Sequence, residues 1–136
     1  MPDHPPAPPA PSDPEGWTAI DHVQLAMPVG AETTAVGFYQ GVLGLRQVPK
    51  PPRLAARGGC WFEAGAVRLH LGVDPDFHPA RKAHPALRVQ GLDRRARDWA
   101  AVGVALRLDD EIPGVRRGYV DDPFGNRIEL IDAGRG

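Results

Sequence analysis

An internal repeat is the feature that most constrains the fold of this 136-residue chain. The segment His22-Val23-Gln24-Leu25 is matched by His84-Pro85-Ala86-Leu87, and Trp61-Phe62 is matched by Tyr119-Val120, each at an offset of about 60 residues. In both copies the apolar residues alternate, then follow a helical spacing, then alternate again. The pattern predicts two copies of one unit, in which a strand and a helix precede three further strands.

The boundaries of the elements follow from apolar spacing and from the positions of proline and glycine. In the first copy the sequence predicts a strand over 20–27, a helix over 31–42, a short strand over 45–48, a loop to about residue 57, and strands over 60–63 and 67–73. In the second copy it predicts a strand over 83–89, a helix capped by Asp93 and ending at Val102, and strands over 104–108, 118–120 and 127–131.

The last two strands are predicted to form a hairpin around Asp122-Pro123-Phe124-Gly125-Asn126, because Asp-Pro starts a turn and Gly-Asn tolerates positive φ. Alternation in the returning strand places Glu129 on the face opposite Ile128 and Leu130. A carboxylate in mid-strand is rarely buried without a partner. Its partner is expected to be either a metal ion or one of the nearby arginines, which are Arg116, Arg117 and Arg127.

Composition limits the class of protein. The length fits one domain, and Met1 to Gly16 is proline-rich and is expected to be a disordered tail. The net charge of −1, with scattered basic residues, gives no indication of nucleic acid as a partner. No apolar stretch is long enough to span a membrane, so a soluble, cytoplasmic protein is expected. The single Cys60 excludes an internal disulfide and a cysteine-rich zinc site, and it is expected to be a small buried residue.

Four residues with metal-binding side chains occupy equivalent positions in the two copies. His22 and His84 fall on the first strand of each copy, and His70 and Glu129 fall on the last. Imidazole and carboxylate are the usual ligands of zinc, nickel, cobalt, manganese and non-haem iron. Four ligands facing the concave side of a sheet are therefore expected to converge on one divalent metal. The alternative for each histidine alone is a hydrogen-bonded structural residue.

Residues near these four are candidates for binding a substrate. Arg116, with Arg117, is placed to present a cation to an anionic group, and Trp61 and Tyr119 are placed to form an apolar wall. The alternative is that the arginine is solvated and the aromatic side chains belong to the core.

Several segments together resemble the vicinal oxygen chelate superfamily, which includes glyoxalase I, extradiol dioxygenases, fosfomycin-resistance proteins and bleomycin-binding proteins. They are Asp21-His22-Val23-Gln24-Leu25, Phe38-Tyr39, Leu43-Gly44-Leu45, the segment 84–89 and the segment 122–130. The resemblance covers residues 17–132. It implies an α+β fold of paired βαβββ modules, about 17–75 and 83–132, each an incomplete barrel around a cleft. It also implies a divalent metal in the cleft and a homodimer.

Residue by residue, the resemblance makes His22, His84 and Glu129 metal ligands. It places His70 where glyoxalase I has a glutamate that serves as ligand and base, so His70 and Glu129 become the expected catalytic residues. The implied activity is that of a metal-dependent, glyoxalase-like lyase or isomerase acting on a small substrate with neighbouring oxygens. The alternatives are a metal-free, drug-binding resistance protein of the bleomycin-binding type, and an enzyme like the extradiol dioxygenases or fosfomycin-resistance proteins.

Overall fold

A computed structural model describes residues 13–134, so most of the predicted proline-rich tail lies outside the described residues. The elements in chain order are β1 (Val23–Met27), α1 (Glu32–Tyr39), β2 (Arg46–Val48), α2 (Pro52–Ala55), β3 (Cys60–Ala64), β4 (Val67–Val73), β5 (Ala86–Val89), α3 (Leu92–Ala100), β6 (Arg107–Asp109), β7 (Arg117–Asp121) and β8 (Arg127–Asp132). Within the described part, no helix has the length and apolarity that crossing a membrane requires.

The strands form two four-stranded sheets with the same topology. The first has the order β1-β4-β3-β2 and the second the order β5-β8-β7-β6. In each sheet the first strand is parallel to the last, and the remaining pairs are antiparallel. Neither sheet closes into a barrel. The predicted duplication and the α+β class are therefore confirmed, and we call the two halves module 1 and module 2.

The strand registers of the two modules also coincide. In module 1, His70 lies between Gln24 of β1 and Trp61 of β3. In module 2, Glu129 lies between Ala86 of β5 and Tyr119 of β7. His70 and Glu129 therefore occupy equivalent positions in the two sheets, as the sequence repeat predicted.

One face of each sheet is packed against a helix. The side chains buried between sheet and helix include Tyr39, Phe62, Leu69 and Leu71 in module 1, and Leu92, Trp99, Val120, Ile128 and Leu130 in module 2. Since side chains alternate along a strand, the neighbouring residues point to the opposite face. We call this second surface the helix-free face. It carries Trp61 and His70 in module 1, and Tyr119 and Glu129 in module 2.

The turn between β7 and β8 connects the two modules through a buried carboxylate. Asp122 is 5% exposed and accepts hydrogen bonds from the backbone N–H groups of Phe124 and Asn126. It also accepts the Tyr39 hydroxyl of α1 at 2.7 Å, and burial raises the pKa of that hydroxyl. The Asn126 amide donates to Asp122 and to the Ala26 carbonyl of β1, both at 2.8 Å. The predicted hairpin is present, and it also holds module 2 against module 1.

The structure adds one helix to the predicted elements and moves several boundaries. Strand β1 begins at Val23 rather than at residue 20, so His22 precedes it. Helix α1 ends at Tyr39 rather than at 42, α3 ends at Ala100 rather than at 102, and β6 spans Arg107–Asp109 rather than 104–108. The segment predicted as a loop contains α2, which begins at Pro52, a residue whose fixed φ suits the first turn of a helix. Helix α3 is capped by Gly91 (φ 70°) rather than by Asp93, and the Leu92 N–H lies 3.4 Å from the distant Asp132 carboxylate. Strand β5 begins at Ala86, so His84 precedes it.

Candidate functional site

In module 1 the two candidate ligands are stacked against each other. The His70 ring lies 4.0 Å from the His22 ring and 4.2 Å from the Trp61 ring, with interplanar angles of 19° and 8°. His70 is therefore held between two aromatic planes, and only its ring edge is free to bind a ligand. Burial lowers the pKa of His70, and the neighbouring His22 lowers it further. The ring is neutral near pH 7, which is the form that coordinates a metal.

A carboxylate orients the other histidine of this pair. His22 Nδ1 lies 2.9 Å from Asp21 Oδ2, and Asp21 Oδ1 accepts from Arg68 at 3.1 Å. The hydrogen bond from His22, with the charge of Arg68, lowers the pKa of Asp21. Since a carboxylate only accepts, His22 Nδ1 carries the hydrogen and Nε2 keeps its lone pair. This arrangement is the one that orients histidine ligands in metal sites.

In module 2 the candidate ligands are an imidazole and a carboxylate in direct contact. His84 Nε2 lies 3.0 Å from Glu129 Oε1, and Glu129 is 8% exposed. The other carboxylate oxygen lies 3.3 Å from Arg117 Nη1. Arg117 also contacts Asp109 and lies over the Tyr119 ring. Module 2 therefore has a charged network where module 1 has a stack of rings.

The His84–Glu129 contact requires a cation. His84 Nδ1 lies 2.8 Å from the Lys82 carbonyl, so this nitrogen carries a hydrogen. In a neutral ring Nε2 would then present a lone pair to a carboxylate oxygen, which is repulsive. Two species remove the repulsion: a proton on Nε2 or a metal ion bound by both atoms. The donor set of module 2 therefore fits a divalent metal.

The four predicted ligands do not converge on one centre within a single chain, and the sequence left open whether the site is formed by one chain or by two. Among residues 13–134, no three His, Cys, Asp or Glu side chains are close enough together to hold one metal ion. His22 pairs with His70, and His84 pairs with Glu129, because each pair belongs to its own sheet. Each module therefore provides two ligands, whereas catalytic zinc sites typically use three protein ligands.

The predicted substrate-binding residues fall at different places. Trp61 and Tyr119 lie on the helix-free face, next to His70 and Glu129 respectively. Arg116 lies apart from this face, because its guanidinium binds Asp93 on α3 at 2.6 Å.

Sequence reasoning gave no role to Asp21, and it named Arg117 only beside Arg116 and as one of three possible partners of Glu129. Arg117 is two residues from Tyr119 on β7, so strand alternation places both on the face of Glu129. That spacing was the available signal for Arg117. The signal for Asp21 was its position beside His22.

A cavity of about 770 Å³ runs along the boundary between the modules. His22 and His84 both line it, together with Gln24, Ala86 and Asn126. The volume is in the range of small-molecule sites. One ligand from each module thus faces a common space that is large enough for a small substrate.

Comparison with known proteins gives matches to solved structures, whereas neither a family model nor a curated protein matches the chain. A crystal structure of a protein assigned to the glyoxalase family from Bacillus anthracis is 45% identical, with a TM-score of 0.83, and the match covers 85% of this chain and 95% of that one.

Two further structures share the fold at lower identity. Lactoylglutathione lyase from Agrobacterium tumefaciens is 20% identical, with a TM-score of 0.65, over 87% of this chain and 96% of that one. A fosfomycin resistance protein from Listeria monocytogenes is 16% identical, with a TM-score of 0.66, over 86% and 94%.

Proposed function

The chain belongs to the glyoxalase family within the vicinal oxygen chelate superfamily, and from this premise we propose that it is a metal-dependent enzyme of the lyase or isomerase type. Its substrate is a small molecule with neighbouring oxygens. The observation that carries the proposal is the His84–Glu129 contact, in which Nε2 lies 3.0 Å from Oε1, a pair of atoms that a shared proton or a shared metal ion holds together. A divalent ion, with zinc, nickel, cobalt, manganese and iron as the candidates, satisfies both atoms.

In this proposal the side chains of the site have separate roles. His22, His84 and Glu129 would hold the metal, and the Asp21 carboxylate and the Lys82 carbonyl orient the rings of His22 and His84 respectively. The bound ion supplies charge stabilisation to the oxygens of the substrate. His70 is neutral near pH 7 and accepts a proton from the carbon next to a carbonyl, while Trp61 fixes the plane of its ring. In this proposal His70 is the base that the family resemblance predicts, and it either binds the metal itself or lies next to a ligand that does.

A second copy of the chain completes the site in this proposal, so the functional unit is a homodimer. Two ligands per module leave each module incomplete. A hinge motion that brought the pairs together within one chain would break the bonds of Asp122 to Tyr39 and of Asn126 to Ala26. Closed two-fold symmetry avoids that cost, because module 1 of one copy meets module 2 of the other.

Metal analysis of protein purified without chelator tests the proposal. Wild type is expected to retain a divalent metal in near-stoichiometric amount, and His84→Ala and Glu129→Ala are expected to lose most of it. His78→Ala is the matched control, since His78 makes the same kind of bond, from Nδ1 to the Asp76 carbonyl, and faces no carboxylate partner in the described residues. Undiminished metal in both ligand variants rejects the proposal.

A second candidate is a metal-free protein that binds a drug or metabolite. The stack of His22, His70 and Trp61 favours it, since flat rings bind planar ligands without any ion. Titration with bleomycin in the presence of EDTA separates the two. Tight binding that EDTA leaves unchanged supports this candidate, whereas no binding removes bleomycin as its ligand and leaves the metalloenzyme as the working function.

A further inference from the structure

The walls of the cavity between the modules carry an excess of positive charge. Three arginines line it, Arg68, Arg88 and Arg127, and one acidic residue, Asp21. Asp21 is already bound to Arg68 and to the His22 ring. Among residues 13–134 the other two arginines form no ion pair, although the net charge of the whole chain is −1.

Arg127 lies beside the candidate ligand pair of module 2. It stands two residues before Glu129 on β8, so both side chains point to the helix-free face. Its guanidinium lies 5.7 Å from the centre of the Tyr119 ring. Arg117 lies over the same ring at 5.4 Å but is paired with Asp109 and Glu129.

The guanidinium of Arg127 is thus positioned by Tyr119, and its cross-strand neighbour Asp121 is bound by Arg107. Within residues 13–134 Arg127 makes no ion pair with a carboxylate. A half-buried cation without a partner carries an unfavourable desolvation cost, which an incoming anion offsets. The planar fork of arginine is suited to bind carboxylate and phosphoryl oxygens.

We propose that the substrate is an organic anion whose charged group binds Arg127 while its neighbouring oxygens lie toward Glu129 and His84. The proposal rests on the proposed function and adds the substrate class. Residues two apart on a strand are separated by roughly 6.7 Å, so the anionic group stands about that far from the paired oxygens. Arg127 is then a specificity-determining residue.

Two probes of equal size test the proposal, 3,4-dihydroxybenzoate and 3,4-dihydroxybenzamide. Both have two neighbouring oxygens at one end of a ring, and only the first has a negative charge at the other end. A third probe, 3,4-dihydroxyphenylphosphonate, distinguishes a phosphoryl group from a carboxylate. Calorimetry on the full-length, metal-loaded protein is expected to show the acid binding about tenfold tighter than the amide.

Arg127→Gln is expected to reduce the acid-to-amide affinity ratio to near one. Arg97→Gln is the control, since Arg97 is an exposed arginine on α3 that does not line the cavity. It is expected to keep the wild-type ratio. Thermal unfolding checks that both variants fold.

A wild-type ratio near one, including no binding of either probe, overturns the proposal, and so does an unchanged ratio in Arg127→Gln. If that variant does not fold, salt dependence of the wild type decides: acid affinity is expected to fall with added NaCl while amide affinity stays constant. If the affinities for the acid and for the amide depend on salt to the same extent, the proposal is overturned. The acid-to-amide affinity ratio is also measured on metal-free protein. If the protein binds no metal, the proposed function is refuted, and the ratio of the metal-free protein alone decides whether the site prefers an anion.

Discussion

Modules 1 and 2 have the same backbone and different chemistry. The sheets share strand order and register, and the ligand pairs stand at equivalent positions. In module 1 the pair is two imidazoles stacked beside Trp61, whereas in module 2 it is an imidazole and a carboxylate held by Arg117. The two modules therefore have their side chains at the same positions but with different charge, and in the proposed metal site module 1 would supply neutral ligands and module 2 an anionic one.

The two modules differ most in the hydrogen bonding of their hairpin turns. Asp122→Ala is therefore expected to have the largest effect on stability. The substitution leaves the Tyr39 hydroxyl, two backbone N–H groups and one of the two Asn126 amide hydrogens without an acceptor. The free energy of unfolding is expected to fall by about 3 kcal/mol. The equivalent turn of module 1 has no such network among its described contacts, so Ala66→Ser is expected to cost less than about 0.5 kcal/mol. Urea unfolding measures both, and similar values would remove the distinction.

The ion pairs of the two modules sharpen the comparison further. Arg117→Met leaves the buried Glu129 carboxylate without its arginine, whereas Arg68→Met leaves the exposed Asp21 without one. Because a buried charge depends on its partner more than an exposed charge does, the urea midpoint is expected to fall more for Arg117→Met. Metal-free protein is the material for this test. Equal midpoints in the two variants contradict the assignment of a charged network to module 2 alone.

The pH dependence of stability is expected to come in part from the neutral pair of module 1. Since burial lowers the pKa of His70 in the folded chain, the unfolded chain binds a proton more readily below its ordinary value of 6.5. The free energy of unfolding of the metal-free protein therefore decreases as the pH falls through 6.5, and this component levels off below the lowered pKa. His70→Gln is expected to flatten the profile between pH 7.5 and 5.5, while His78→Gln leaves it unchanged. A profile unaltered by His70→Gln disproves the assignment.

The smallest expected effect concerns Trp61, whose ring covers one side of His70. Trp61→Leu exposes the imidazole, so the pKa of His70 is expected to rise toward its ordinary value. Tyr119→Leu makes the corresponding change in module 2 and is expected to leave His70 unaffected. Histidine titration by NMR measures the shift. An equal response to both substitutions would mean that the stack does not set the ionisation of His70.

Much of the fold follows from the sequence because the repeat and strand alternation are local patterns. Alternation alone places Ile128 and Leu130 in the core and Glu129 on the other face, and the structure agrees. The cap of α3 was missed because its first N–H approaches Asp132, 40 residues away along the chain. The spacing of apolar residues along the sequence gives no information about a contact between residues so far apart.

The site was predicted at the level of residues but not of their grouping. Spacing identifies His22, His70, His84 and Glu129 as equivalent positions, and the register confirms the equivalence. Whether equivalent positions converge depends on how one sheet is placed against the other. The bonds that set this placement, from Tyr39 to Asp122 and from Asn126 to Ala26, join residues 83 and 100 positions apart.

The central claim is that each metal site takes one half from each of two chains, and mixing two inactive variants tests it most directly. His22→Ala damages module 1 and Glu129→Ala damages module 2, so each homodimer is expected to hold little metal. Unfolding and refolding the two together makes about half of the dimers mixed, and each mixed dimer contains one intact site of two. The account predicts recovery of about a quarter of the wild-type metal content and of the activity that depends on it. Metal content that stays at the level of the separate variants contradicts the account.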